Sequence, residues 1–557
     1  MTLTYSTVFF AVLGIPCIAQ TPVLQWGQAF SGLGNASSAI NSCLGLTTDP
    51  DGNVYTVGEF ANNLDLDPGT NVAMVTSEGL NYFDMFLAKY NSVGQYIWGK
   101  KITTGTLCYA NFLEKEPGGD LVMAGYLGGT TDFDPGTGTV ELTGAGDLFF
   151  ARFTSDGDLV WAKTFGSASG INELNAMELN VNGNIWIAGA FNDTIDLDPG
   201  PGVAQFLCTP ASRDGFFVKY DLDGNYLWGH AFGDNWSDQA KAIAFDANGN
   251  AVITGVFTTR MDVEPGAGTT TIAQIGGGEE TFVATYAPSG DLLGWFSFGG
   301  QASNLFPTGI AVDSNRDLIA MGELSGSQAS LTPGEVNGSI SPGYNMYGWM
   351  AKYTSSSAVV WTALLPSPGS IGPGLLRLKL DSDDDLHITG DHNTPFDANP
   401  GKENLQMMAD GAYLLKYANA DGALQWAVPF GDASGQHANG LHIDLEDNIY
   451  LACGGNAAWN FNGVEIGGGN VAVLMKPGEC LPPEILGQYE PISDYCEPTM
   501  GPAVREHDRH CAQLSMGAEP MIDRRQQRDD HSRPVEHGPL RVHLLDRRAM
   551  WCRSVSM

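Results

Sequence analysis

The chain has 557 residues, with 63 acidic side chains against 27 basic ones, a formal net charge of −36 and 71 glycines. Apolar residues make up 43% and charged ones 16%, a globular composition that buries a large core and excludes a disordered or coiled-coil chain. The acidity excludes duplex nucleic acid and anionic membrane as partners through like-charge repulsion. It fits solubility outside the cell, with cation binding as the competing reading.

Residues 1–19 read as a secretory signal peptide. Val8 to Pro16 form an apolar run too short to span a bilayer, and Cys17-Ile18-Ala19 places small residues for cleavage before Gln20. Met1 to Ser6 depart from the pattern by carrying no Lys or Arg, and the residues before Cys17 do not resemble a lipoprotein signal. No other stretch is apolar and long enough for a transmembrane helix. A secreted or cell-surface protein without membrane insertion, and a monomer, is the expectation. Export puts the remaining eight cysteines in an oxidising setting. Cys480 and Cys496 bracket a short Pro-rich segment and are the best candidate pair, although connectivity does not follow from sequence.

From residue 20 to 479 the chain repeats. Trp26, Trp98, Trp161, Trp228, Trp295, Trp361 and Trp426 each sit in similar phrases, spaced at about 65 residues after the first gap. A second anchor runs in step: Asn53 to Gly58, Asp120 to Gly125, Asn184 to Gly189, Asn250 to Gly255, Asp317 to Gly322, Asp385 to Gly390, and Asn448 to Cys453. These are short β-branched and aromatic runs behind Asp/Asn-Gly turns, and none shows a 3.6-residue period over a helical length. The fourth copy lays out four strands: Ala242–Phe245, Ala251–Gly255, Thr281–Tyr286 and Leu292–Phe298. Four-stranded antiparallel units repeated around an axis predict an all-β fold, a β-propeller. A sandwich array would not explain one Trp-bearing strand per unit.

Trp26 arrives before any complete unit, while the last unit ends at Val471 to Lys476 without a Trp strand. The spacing therefore predicts seven four-stranded blades, with Val23–Phe30 completing the last blade and removing two raw sheet edges. The Trp strands are expected outermost, and strands such as Ala242–Phe245 on the axis.

Tyr220-Asp221-Leu222-Asp223-Gly224-Asn225-Tyr226-Leu227-Trp228 and Phe133-Asp134-Pro135-Gly136 make the chain resemble the secreted bacterial seven-bladed β-propeller repeat (SBBP-like) proteins. The resemblance covers about Thr21 to Cys480. It implies fold and export but no activity.

Residues 480–557 do not match the rest. Ten of the fifteen arginines and five of the ten histidines lie between Gly501 and Met557, where there is no lysine. Arg524-Arg525-Gln526-Gln527-Arg528-Asp529-Asp530 has neither period nor turn logic, and its acids nearly cancel its charge. The favoured reading is a disordered tail from a shifted frame, with Cys480 to Cys496 as the remnant of another domain.

The best chemical constellation is Asp-x-Asp-Pro-Gly after the second strand of a unit: Asp65/Asp67, Asp132/Asp134, Asp196/Asp198 and Asp262/Glu264. It weakens to Asp397/Asn399 and Asn460/Asn462, and the fifth unit has Ser330 and Thr332. Residues two apart on an extended chain point the same way, so paired carboxylates suit a weak Ca2+ site. The competing and favoured reading is an Asx-type turn, a structural motif that tolerates drift. No cofactor other than Ca2+ is indicated. His387 stands where other units have Tyr55, Trp186 or Tyr450, which suggests packing between blades. His442, with His392 and His437 near it in register, offers a minor metal or acid/base reading. No nucleophile elbow, Walker loop or HExxH is present.

Together these features predict an exported binding scaffold for a protein or glycan, with no catalytic residue nominated. The alternatives are a glycan hydrolase or lyase with its site at the axial mouth, marked by carboxylates and His converging from different blades, and a Ca2+-stabilised adhesin.

Overall fold

Alternating short strands and Gly-containing turns leave no room for helix, and every regular element among the described residues is a β-strand. The computed structural model describes residues 22–478, apart from 32–40, 78–82, 336–339, 341–345, 367–373, 400–404 and some shorter loop stretches. The expected signal segment 1–19, the tail 480–557 and the candidate Cys480/Cys496 pair lie outside the described residues.

The fourth repeat shows how a unit forms. Gln239–Phe245, Ala251–Phe257, Glu280–Tyr286 and Leu292–Phe298 pair in that order, antiparallel. The first turn is closed by Asp246, whose Oδ1 accepts the N–H groups of Asn248 at 2.8 Å and Asn250 at 2.9 Å. The Trp295 strand is the outer edge, and Gln239–Phe245 lies at the axis. What the sequence did not suggest is that the long connection after the second strand folds into its own small hairpin, here Arg260–Asp262 with Thr271–Ala273.

The structure is an all-β propeller, but the expected count of seven separate four-stranded blades is corrected. Five blades stand as discrete sheets. Four are four-stranded, starting at Cys108–Lys115, Asn172–Leu179, Gln239–Phe245 and Ser303–Val312. The fifth starts at Gly374–Leu380 and is six-stranded. The remaining principal strands merge into one ten-stranded sheet, which also holds Val23–Ser31. The cause is local. Ser42 pairs with Gly454, where a Cβ would meet the Ser42 Oγ at 2.3 Å, so only a glycine lets the two ladders join. A sequence period counts copies of a phrase and is blind to hydrogen bonds that cross between copies.

Within the ten-stranded sheet the N-terminal strand pairs antiparallel with Val471–Gly478, Trp26 opposite Lys476 and Ser31 opposite Val471. The two chain regions expected to meet do so.

Three contacts recur between or within units. Each of five tryptophans covers a turn glycine with positive φ in the following unit: Trp26 over Gly94, Trp98 over Gly157, Trp161 over Gly224, Trp228 over Gly290 and Trp361 over Gly422. Ser357 replaces the glycine that would face Trp295, and Trp295 is 41% exposed. A tyrosine closing the third strand donates to a carbonyl beside the Asp-Pro-Gly turn, as in Tyr90 to Leu66, Tyr220 to Leu197 and Tyr286 to Val263, each at 2.8 Å. A third-strand cation reaches the Asp of the first turn: Lys352 to Asp313 at 2.7 Å and Lys416 to Asp381 at 2.8 Å. Where Asn180 replaces that Asp, Lys219 turns to the Pro288 carbonyl at 2.7 Å. Apolar clusters fill the wedges between units. One joins Trp186 and Phe217 of one unit to Ile253, Phe282 and Tyr286 of the next.

Candidate functional site

The axis is lined by the first strand of each unit, and each of these strands carries a β-bulge at the same place. The extra residues are Leu44, Asn111, Asn175, Lys241, Thr308, Leu376 and Asn439. A bulge re-aims its extra residue out of the ladder. Two of the asparagines use this to clip neighbouring strands: Asn175 donates to the Ala240 carbonyl at 2.9 Å and Asn439 to the Cys43 carbonyl at 3.0 Å.

Beyond the bulge the axis is closed by charged side chains that only some units carry. Arg377 shares its register level with Gly45, Phe112, Ala176, Ala242, Gly309 and Gly440, small residues apart from one Phe. Its guanidinium lies 5.8 Å from the Phe112 ring centroid, a cation–π contact. Two residues further, Glu114, Glu178 and Lys379 stand level with Thr47, Ala244, Ala311 and His442. Lys379 Nζ lies 3.2 Å from Glu178 Oε1, joining strands 201 residues apart across the ring. Glu178 holds the Lys379 ammonium well above its usual pKa, while burial pushes the Glu114 carboxyl up to about 8. A cavity of about 100 Å³ remains between this plug and the bulge level.

On the other side of the bulge the axis opens into a mouth built from different units. Tyr109 and Tyr126 face each other across one strand pair, with rings stacked at 5.5 Å and 17°. Glu59 and Glu173 are close enough to raise the Tyr109 pKa further after burial and Tyr126 have raised it. Arg213 Nη1 bonds Glu173 at 3.0 Å, and His437 Nδ1 bonds Asp391 at 2.9 Å. Burial pushes Glu59 up to about 7 and raises Glu279 and Glu323, Asp391 adding to the last. The bond to Asp391 raises His437. Every carboxylate named here is thus either paired with a cation or pushed toward its neutral form, and the mouth is less negative than its residue count.

The residues singled out from sequence lie elsewhere. In each Asp-Pro-Gly turn the first Asp spends Oδ1 on two backbone N–H groups. Asp65 accepts from Asp67 at 3.1 Å and Ala73 at 2.8 Å, Asp132 from Asp134 and Val140, Asp196 from Asp198 and Ala204, and Asp262 from Glu264 and Thr270. Asp67, Asp134 and Asp198 each cap a glycine N–H two residues on, at 2.8–2.9 Å. Glu264 instead accepts from the Thr270 hydroxyl at 2.5 Å. Ser330 keeps the first bond with its hydroxyl, to Thr332 N–H at 3.1 Å, which explains why the fifth unit tolerates the change. These bonds commit Oδ1 of the first Asp to the backbone, and no group of three or more His, Cys, Asp or Glu suited to a metal occurs among the described residues.

The histidines are not brought together. His387 is buried, bonds Asp381 at 2.9 Å and packs on Trp426, taking the role of the Tyr450 hydroxyl on Asp444. His392 packs against Phe396 and Tyr413. His442 bonds the Thr48 hydroxyl at 3.0 Å, and burial, helped by Lys379, pulls its pKa down to about 4. Only His437 reaches the mouth. Sequence reading missed Glu59, Tyr109, Tyr126, Glu173, Lys241 and Arg377. Aligning the first strands at their bulge would have exposed Tyr109, Glu173, Lys241 and Arg377 as non-repeating positions of a repeating element, whereas Glu59 and Tyr126 lie on second strands.

No family model matches the chain. A curated relative, an uncharacterized WD repeat-containing protein of Acanthamoeba polyphaga mimivirus, is 24% identical over 288 residues; the match covers 43% of this chain and 19% of the relative, so the chain spans about a fifth of that protein's length. Among solved structures, the polysaccharide lyase Uly1 is similar at 10% identity and a TM-score of 0.40, covering 80% of this chain and 91% of that one. A catalytically inactive virginiamycin B lyase from Staphylococcus aureus, with quinupristin, is similar at 11% identity and a TM-score of 0.32, covering 81% and 99%. Sqt1 from Chaetomium thermophilum is similar at 9% identity and a TM-score of 0.37, covering 82% and 99%. The chain is a β-propeller with a WD-repeat-like relative.

Proposed function

We propose that the chain is an exported β-propeller of the SBBP-like kind that binds a glycan at the axial mouth and serves as a scaffold outside the cell. The carrying observation is the stacked Tyr109/Tyr126 pair beside Glu59 and the Glu173–Arg213 pair. A sugar ring presents an apolar face to an aromatic plane and hydroxyls to surrounding donors and acceptors, and this mouth supplies both with little net charge. Calorimetric titration with oligosaccharides selected on a glycan array tests the reading. Tyr126→Ala is expected to lower affinity at least tenfold; unchanged affinity would remove the mouth as the site.

A second reading, a glycan hydrolase or lyase, draws on Glu59, whose carboxyl burial pushes up to about 7, and on the His437–Asp391 hydrogen bond at the same mouth. Product release from the bound oligosaccharide, lost in Glu59→Gln and in His437→Gln while binding persists, would favour it. The Ca2+-stabilised adhesin fits the turn geometry less well, because Asp65, Asp132, Asp196 and Asp262 already use Oδ1 on the backbone.

A further inference from the structure

We propose that the mouth continues as a lip over the second, third and fourth units, and that its ligand is an extended glycan chain running from the Tyr109/Tyr126 pair to Trp236. The inference rests on the glycan reading above and names the form of the glycan: a polymer, not a single sugar or a disaccharide.

Trp236 is 62% exposed, more than any other described tryptophan. It lies in the connection between Tyr226–Phe232 and Gln239–Phe245, where no other copy of the repeat carries a tryptophan. Its backbone is fastened on several sides. The Trp236 carbonyl accepts from the Ser212 hydroxyl at 2.7 Å and from the Arg213 N–H at 3.3 Å. The Arg213 carbonyl accepts from the Asp238 N–H at 2.8 Å. Asp238, fully buried, accepts in turn from the N–H groups of Thr258 at 2.7 Å and Asp234 at 3.1 Å. An indole held in water by a fixed backbone forgoes the burial that an aromatic side chain ordinarily gains. It is a contact formed in advance of its partner.

Its surroundings join it to the mouth. Tyr109, Glu173 and Gln239 share one register level, two residues before the bulge, in three successive units. An exposed apolar residue shortly precedes each: Leu107 at 50%, Ile171 at 60%, and Trp236. Arg213 holds the Trp236 carbonyl through its own backbone and reaches Glu173 with its guanidinium at 3.0 Å. The Arg213 and Glu173 side chains remain 31% and 37% exposed, open to hydroxyl groups of a ligand. The order along the lip is therefore aromatic, hydrogen-bonding, aromatic. Successive sugars of a chain offer the matching faces, apolar ring planes flanked by hydroxyls. A whole unit stands between the two aromatic ends, and axial strands approach no closer than the ~4.7 Å of a hydrogen-bonded pair, so one sugar ring does not touch both.

Calorimetry with the disaccharides and hexasaccharides of cellulose, chitin, laminarin and polygalacturonate tests the inference. The proteins are wild type, Trp236→Ala, Tyr126→Ala and Leu207→Ala, the last a control at a 76% exposed position on a peripheral hairpin. Circular dichroism and melting confirm folding of each variant. Wild type is expected to bind a hexasaccharide at least tenfold more tightly than its disaccharide. That gain is lost in Trp236→Ala with disaccharide affinity unchanged, while Leu207→Ala behaves as wild type and Tyr126→Ala weakens both lengths. Equal wild-type affinity for the two lengths, or a gain that survives in Trp236→Ala, overturns the lip; with both lengths weakened in Tyr126→Ala, the glycan reading still stands. Equal weakening of both lengths in Trp236→Ala places the indole in one compact site and overturns the extended chain. Binding of none of the four series, or binding untouched by Tyr126→Ala, overturns the glycan reading and the lip together.

Discussion

The periphery of the ring and its axis are built from the same repeat by opposite rules. At the periphery the same side chain does the same work in unit after unit: tryptophan on a turn glycine, tyrosine on a carbonyl, aspartate on two backbone N–H groups. At the axis equivalent positions hold Gly, Phe, Ala and a single Arg, or Thr, two Glu, Lys and His. A contact that recurs around the ring serves closure and packing. A residue that occurs once, in a confined place, is where selection for a ligand can act.

The buried Lys–Asp bridges give the hardest test of the peripheral rule. Lys352 and Asp313 are 6% and 0% exposed. Asp313→Ala leaves the buried lysine only Asp317 at 3.5 Å and the Asn419 amide oxygen at 2.9 Å, and a loss of about 3 kcal/mol in urea denaturation is expected. Asp246 heads the equivalent turn in the fourth unit, where Thr285 replaces the lysine, so Asp246→Ala removes only turn bonds and is expected to cost about 1 kcal/mol. Equal losses would mean that the lysine contributes nothing.

Trp26→Ala probes ring closure. It removes the ring lying against Gly94 and the bond to the Ser92 carbonyl at 3.1 Å, in the strand paired with Val471–Gly478. A loss of about 2–4 kcal/mol is expected, with faster hydrogen exchange confined at first to 23–31 and 471–478. Exchange that rises evenly over the ring would contradict the idea that these strands close it.

Glu59 supplies a test at the mouth. Its folded pKa is raised, so its native proton adds stability at acid pH that is lost as pH climbs from about 4.5 toward 7. Glu59→Gln is therefore expected to be more stable than wild type above pH 7, by about 1–2 kcal/mol, and equal to it near pH 4. A constant difference across pH would show that the carboxyl is not desolvated.

The smallest effect is expected from chelation at the Asp-Pro-Gly turns. Asp196→Ala loses two backbone bonds and about 1–2 kcal/mol. Chelator is expected to leave the melting temperature of wild type unchanged. A drop on chelation, cured by Ca2+, would favour the metal reading for Asp65, Asp132, Asp196 and Asp262.

What was legible from the sequence was what repeats. The Trp interval and the Gly-terminated second strands located the elements, and the early Trp26 identified the strand that pairs with the chain's far end. Blade count failed because Ser42 meets Gly454 across two copies, a backbone event that leaves no periodic trace. The axial residues were invisible for the converse reason. Glu59, Tyr109, Glu173 and His437 come from different units, look ordinary within them and meet only after the ring closes. The turn carboxylates attracted notice because they repeat, and the first Asp of each accepts two backbone N–H groups.

The central claim, that ligand recognition belongs to the axial mouth and the periphery is scaffold, is tested most directly by one paired titration. Oligosaccharide affinity is measured calorimetrically for wild type, Tyr126→Ala and Asp196→Ala, all confirmed folded. The account predicts at least a tenfold loss in Tyr126→Ala and no change in Asp196→Ala. Loss in Asp196→Ala with Tyr126→Ala unaffected would place recognition on the peripheral turns and contradict it.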